Sequence, residues 1–412
     1  MFRKGTAITV FVLTMVLIQF SMLQVGFAQE ETSEAFLDSL KRSTPSGQYI
    51  DPASFFRFHG YVSLSLANPQ DDLGTENGRT PQILISGLSS RTGHNEGGFK
   101  NDAALFIGGE PIDGIGTVVE IHFVGDASNP VITEAKIVWH AIEKEGKPVR
   151  LRVIGGRFWW PFGIHNDEWF SAVNRFHLIS PAAAEVLPAH FNEVGIMAEG
   201  EVRAGRYTGL NYVLSVGNGV SSFNLPDNVR STQFDSNGNR TVTGRLGFVF
   251  NKEVNLEIGF SGSTGDLRTG ESNTFEVGDP RRYGADFSAY GPDAVLTYRG
   301  FGWRSYYYRS HENLANAAVS TLARDGLTVE PSYTFKTNNS VIPKLTVLGR
   351  YSFANEEFLN GTTYRSLQYG FGINASINDQ FTFKAGYLMQ DEERQQPKYD
   401  NNLLSFSLTA EF

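Results

Sequence analysis

The chain closes on Leu404-Ser405-Phe406-Ser407-Leu408-Thr409-Ala410-Glu411-Phe412, a stretch whose pattern points to a particular kind of sheet. Apolar and polar residues alternate with a period of two, so an extended strand here has one greasy face and one polar face. The same alternation recurs upstream. Phe56, Phe58, Val62, Leu64 and Leu66 oppose Arg57, His59, Ser63 and Ser65, while Leu367, Tyr369, Phe371, Ile373, Ala375 and Ile377 oppose Ser366, Gln368, Gly370, Gly372, Asn374 and Ser376. Phe381, Phe383, Ala385, Tyr387 and Met389 oppose Thr382, Lys384, Gly386 and Gln390. A soluble sandwich would turn its apolar faces toward each other. A membrane barrel turns them to lipid, keeps the polar faces on a wet lumen, and satisfies every backbone group by closing on itself.

Connection lengths choose between these. Strands are expected near 55–67, 100–108, 114–124, 132–142, 149–158, 191–203, 206–217, 240–250, 253–263, 283–299, 302–311, 326–336, 344–354, 364–377, 380–390 and 402–412. That is sixteen, an even number, with eighteen as the alternative. Long connections (68–99, 159–190, 218–239, 264–282, 312–325, 355–363, 391–401), with a middling one at 125–131 on the same side, alternate with short or tight ones (109–113, 143–148, 204–205, 251–252, 300–301, 337–343, 378–379). Long extracellular loops and short periplasmic turns are the arrangement of an outer-membrane, all-β, antiparallel barrel. Within 283–299 the apolar parity switches between Ala285, Phe287, Ala289 and Ala294, Leu296, Tyr298, with Gly291-Pro292 between them. A β-bulge at that pair is expected to shift the register by one residue.

Composition fits this reading. Thirty-two Phe and 43 Gly suit walls and turns, and zero Cys excludes a disulfide scaffold. A net charge of −9 argues against nucleic acid as a partner. Mean hydropathy of −0.24 hides a membrane face, because each outward residue is cancelled by its polar neighbour. Residues 1–28 read as a cleavable signal peptide: Arg3 and Lys4, an apolar run from Ala7 to Phe20, and Gly26-Phe27-Ala28 before Gln29. Losing Arg3 and Lys4 would take the charge from −9 to −11. Residues 29–54 form a polar periplasmic lead-in, and 55–412 the barrel.

The stretch Arg152-Val153-Ile154-Gly155-Gly156-Arg157-Phe158-Trp159-Trp160-Pro161-Phe162-Gly163, followed by Asn192-Glu193-Val194-Gly195-Ile196 and Tyr212-Val213-Leu214-Ser215-Val216-Gly217-Asn218-Gly219, resembles the phosphate-selective porin O and P family of trimeric outer-membrane channels. The resemblance implies a sixteen-stranded barrel, a homotrimer, and a third long loop, 159–190, folded into the lumen. Trp159, Trp160, Pro161, Phe162, Trp169, Phe170 and Arg175 are then the candidate constriction residues. The alternative places those aromatics in the interfacial belt or packs the loop on itself above the rim. Phe412 at the end of an alternating strand looks like the signal read by the outer-membrane assembly machinery.

Lumen parity selects the candidate pore-lining charges Arg57, Lys136, Arg150, Arg152, Arg245, Arg282, Arg299, Arg350, Lys384, Glu120 and Glu257. Arg203, Lys336, Glu134, Glu193, Glu199, Glu201, Asp286, Glu330 and Glu411 share that parity, and Arg304 is ambiguous. Such charges either attract ions of opposite sign or pair off as wall salt bridges. No regular Lys or Arg ladder matches a phosphate trap. No HExxH, GxSxG or P-loop occurs, the eight His are scattered, and the acidic loop 71–78 reads as a solvated turn, with weak Ca²⁺ binding as the alternative. No cofactor, metal or catalytic residue is expected. The reading is a porin of the Gram-negative outer membrane, in contact with its lipid, passing small hydrophilic solutes and ions by diffusion with at most a weak anion or phosphate preference. The alternative is a barrel enzyme or adhesion protein with a closed lumen.

Overall fold

A computed structural model describes residues 57–69, 98–124, 130–142, 148–166, 174–176, 180–187, 192–221, 240–268, 285–314, 321–357, 363–378, 380–393 and 402–412. The expected signal peptide and lead-in therefore lie outside the described residues. The strands are β1 (Arg57–Pro69), β2 (Gly98–Ile112), β3 (Ile115–Val124), β4 (Val131–Ile142), β5 (Val149–Trp159), β6 (Asn192–Arg203), β7 (Thr208–Gly217), the two-residue β8 (Val220–Ser221), β9 (Thr241–Asn251), β10 (Asn255–Arg268), β11 (Ala285–Tyr298), β12 (Phe301–Leu314), β13 (Thr321–Lys336), β14 (Lys344–Glu357), β15 (Thr363–Ser376), β16 (Phe381–Glu393) and β17 (Leu403–Glu411). Among the described residues between β5 and β6 lies one short helix, α1 (Pro181–Glu185).

Every long strand pairs antiparallel with its neighbours, and β17 pairs with β1 from Tyr61↔Glu411 to Pro69↔Leu403. The sheet is thus a closed barrel of sixteen staves, with β8 a short parallel addition to β10. Closure leaves no sheet edge to find a partner elsewhere. At the seam Gly60 and Phe412 exchange backbone hydrogen bonds in both directions, each 2.9 Å. No described helix is long and apolar enough to cross a membrane, which leaves crossing by strands untouched.

The faces sort by period. Phe58, Ile137, Ile196, Leu246, Phe260 and Phe371 point outward and are exposed, the last by 65%. Ser63, Ser261, Ser352 and Thr409 point inward and are fully buried. A soluble fold would invert this.

Two expectations are corrected. The register of β11 against β10 runs unbroken from Asn255↔Thr297 to Leu267↔Ala285, so Gly291-Pro292 is no bulge. The β11–β12 pairing skips that pair, where the imide has no hydrogen to give, and resumes in the same register at Asp293↔Tyr306. The parity switch has another cause: Phe287 and Ala289 face inward and belong to a core inside the barrel. Register shifts occur instead in the β2–β3, β3–β4 and β4–β5 pairings. The connections after β12 and β14 shrink to 315–320 and 358–362 because the strands run further than their alternation suggests. Loops therefore sort by end of the barrel more cleanly than by length.

Candidate functional site

The connection between β5 and β6 enters the barrel. Its described parts, 160–166, 174–176 and 180–187, lie against the inner wall at three places.

The first begins where β5 ends. The Trp159 indole donates to Glu120 Oε2 at 2.9 Å, and its backbone N–H donates to Glu134 Oε1 at 3.3 Å. Trp160 donates its indole N–H to Thr243 Oγ1 at 2.7 Å and stacks on Phe162 with ring centroids 4.6 Å apart. Phe162 meets Tyr308 edge-on at 5.2 Å. The chain turns at Gly163, whose φ of +63° suits glycine and whose missing side chain makes room for the Tyr308 hydroxyl. Gly163 N–H donates to Ser261 Oγ and Ile164 N–H to Tyr308 Oη, each 2.9 Å, while the Arg304 guanidinium donates to the Ile164 carbonyl.

The second place is the Asn174-Arg175-Phe176 segment. Lys384 Nζ donates to the Asn174 carbonyl at 2.6 Å, and Asn374 donates to the Arg175 carbonyl at 3.0 Å. The Phe176 ring lies under the Arg350 guanidinium, 4.4 Å from its centroid, and packs with Leu348, Leu388 and Leu403. Its floor is glycine. A Cβ added at Gly370 or Gly372 would stand 3.2 Å from the ring, and one at Gly386 3.9 Å.

The third is α1. Ser180 caps it, accepting from Ala183 N–H at 3.3 Å, and its hydroxyl is 2.5 Å from Tyr306 Oη. Pro181 starts the helix where its missing N–H costs nothing. Ala182 and Ala183 are small enough for the helix to sit on the wall: a Cβ at Gly326 would be 3.0 Å from Ala182 Cα and 2.9 Å from Val186 Cγ2. Ser310 donates to the Val186 carbonyl at 2.6 Å. Trp160, Phe162, Ala182, Ala183, Val186 and Leu187 thus share one apolar cluster with Phe287, Ala289, Tyr306, Tyr308 and Ala354 of the wall.

The charged wall pairs largely with itself. Arg245 forks onto Asp293 at 2.6 and 3.1 Å and also reaches Glu257 at 2.7 Å. Arg350 meets Glu330 at 2.5 Å, Arg152 meets Glu199 at 2.7 Å, and Lys136 meets Glu134 at 2.8 Å. His122 contacts Glu120, and Arg324 contacts Glu312 and, at 3.0 Å, Glu356. Arg150 and Arg203 approach Glu201 near the tight-turn end, half exposed.

Among the expected pore-lining charges, Lys136, Arg150, Arg152, Arg245, Arg350, Lys384, Glu120 and Glu257 take part in these inner-wall contacts. Arg299 does not. It occupies the β11–β12 turn with φ of +45°, exposed, its guanidinium 5.2 Å from the Tyr298 ring centroid. The strand ends at Tyr298, one residue before the expected boundary. Asp286 is exposed beside inward-facing Phe287 and also leaves the lumen set. Arg57 begins β1, but its side chain is outside the described ones, as are Arg282, Trp169, Phe170 and the acidic loop 71–78. Trp159, Trp160, Pro161 and Phe162 are buried, and Arg175 is partly buried. Arg304, of ambiguous parity, points inward. The residues missed were Tyr306, Tyr308, Asp293 and the glycines under Phe176. The signal for the tyrosines and glycines was present as inward-parity aromatics and glycines on strands otherwise lined by polar residues, and that for Asp293 as a carboxylate on the inward parity of β11.

Solved structures share this architecture. The barrel matches the trimer form of OmpT, an outer membrane protein of Vibrio cholerae, with a TM-score of 0.53 and 12% identity over 88% of this chain and 100% of that one. An anion-selective porin from Comamonas acidovorans matches at 0.54 and 10% over 87% and 99%. The outer membrane channel DcaP of Acinetobacter baumannii matches at 0.54 and 10% over 87% and 97%. Identity this low carries the fold alone. No family model matches the chain, and no curated protein does. The resemblance to the phosphate-selective porin O and P family therefore rests on the residues quoted for it.

Proposed function

We propose that the protein is an outer-membrane channel that passes small hydrophilic solutes and ions by diffusion, and that it is not an enzyme. The observation that carries this is the sorting of the barrel's faces: exposed Phe, Ile and Leu outside, and Ser, Thr and paired charges inside. The outer surface suits hydrocarbon, and the polar inner wall suits water. In this reading residues 1–28 direct export, the long-loop end faces the cell exterior, and Phe412 presents the last strand to the assembly machinery. The resemblance and the trimeric neighbour support a homotrimer.

Because the inner charges are mostly matched within the wall, the channel discriminates weakly between ions, with the anion preference small. The inner loop is the constriction. Purified protein in a planar bilayer gives stepwise conductance with a reversal potential near zero or modestly toward anions, and complete absence of steps would sink the proposal. A second reading, a closed barrel serving adhesion or enzymatic work, draws on the apolar cluster inside the bore and on the full burial of Ser63, Ser261 and Thr409. It predicts silence in the same bilayer.

A further inference from the structure

The basic residues of the β12–β16 wall do something other than line a path. Arg304 on β12 donates to the Ile164 carbonyl, Arg350 on β14 covers the Phe176 ring, and Lys384 on β16 donates to the Asn174 carbonyl. Each of the three therefore holds a different point of the inner loop. All three are buried, each 4% exposed. In the pairing pattern Arg304 stands directly opposite Glu330, which the Arg350 guanidinium also contacts. That carboxylate thus stands beside Arg350 and across the strand pair from Arg304, while Lys384, with the Glu411 carboxylate near it, meets the loop through a neutral carbonyl.

We infer that Arg304, Arg350 and Lys384 form a cationic latch that positions the inner loop, and that a multivalent oxyanion entering the bore competes for the same donors and loosens it. Relative hydrogen-bond strength decides the competition. An ammonium or guanidinium bonds a charged oxyanion more strongly than a neutral carbonyl, and the arginine fork matches tetrahedral oxygens in pairs. A monovalent halide offers neither the charge nor the geometry. Loop docking and oxyanion binding then exclude each other at Lys384 and Arg304. The cations act as positioning residues through the loop, and opening depends on which anion is present. This rests on the channel reading.

The test is single-channel conductance in planar bilayers, with potassium chloride replaced stepwise by potassium sulfate at constant ionic strength. The wild-type protein is expected to show a saturable rise of about twofold in conductance relative to bulk conductivity as sulfate enters. Lys384→Met is expected to start at the higher level in chloride and to lose the sulfate response, while Lys384→Arg, which keeps the donor, restores both. A merely structural lysine would not give this rescue together with the salt dependence. A wild-type conductance that follows bulk conductivity or falls in sulfate overturns the latch while leaving the channel intact. That measurement needs no variant, so it stands even if Lys384→Met fails to fold. Absence of channels in every salt overturns the channel reading and the latch with it.

Discussion

Arg245 shows what a charged residue on the inner wall does. Its guanidinium is buried, held in a two-point contact by Asp293 and in a third by Glu257. Removing one partner of such a pair leaves a charge with no compensation, at a cost of about 3–5 kcal/mol. Arg245→Ala is therefore expected to lower the urea midpoint of the detergent-solubilised barrel clearly, and Arg245→Met with Asp293→Leu to recover most of the loss. An unchanged midpoint in the single variant would show that water already screens the pair. At this scale the sequence was legible for most inner charges, because parity on a strand is fixed once one neighbour is placed. It failed at Arg299, where a residue in the turn has no parity at all, and at Asp286, where the assumed bulge inverted the assignment.

The inner loop is the element whose docking was least legible. Its entry into the bore follows from the family resemblance, but the receiving surface does not. Phe287 and Ala289 on an inward parity look like a register error until Trp160 and Phe162 are seen packed with them. Likewise Gly370, Gly372 and Gly386 read as polar-face fillers, whereas they form the floor on which the Phe176 ring rests. Strand limits were easier where alternation reaches the strand end, as in 149–158 against Val149–Trp159, and fell short where a polar run continues the strand, as in 380–390 against Phe381–Glu393 with its closing Asp391-Glu392-Glu393. The glycine floor gives a sharp prediction. A Val at Gly372 places its Cβ 2.7 Å from Leu348 Cδ1 and 3.2 Å from the Phe176 ring, and its two methyl groups overpack the pocket, so Leu348 and the ring are both pushed aside. Gly372→Val is expected to raise single-channel conductance by about half or more while heat-modifiable migration, which reports the folded barrel, stays as in the wild type. Unchanged conductance would show that the Phe176 segment does not narrow the path. Phe176→Ala tests the same contact from the other side and is expected to act in the same direction.

For the whole molecule, closure is the decisive property, and it depends on the seam between the first and last strands. Gly60 and Phe412 form the final pair of hydrogen bonds there. A Cβ at Gly60 would meet the Phe412 ring, so the ring covers the glycine backbone. Deleting Phe412 removes two hydrogen bonds, worth about 1–3 kcal/mol together. Refolding into detergent in vitro is expected to survive with a modestly lower thermal midpoint. If Phe412 also serves assembly, the amount reaching the outer membrane in cells falls much further than that midpoint implies. Equal losses in both assays would confine Phe412 to the seam. The sixteen staves and their order were legible because alternation, loop placement and an even strand number all agree with the closed sheet. What fills the bore was not, because inward-facing residues are selected by a loop distant in sequence rather than by the strand that carries them. In the channel reading, this barrel conducts around its docked loop. Planar-bilayer recording of purified wild-type protein in symmetric and then graded potassium chloride tests it most directly. Discrete conductance steps with a reversal potential within a few millivolts of zero, or modestly toward the anion side, are the predicted result, and a bilayer that stays silent at every protein concentration would contradict it.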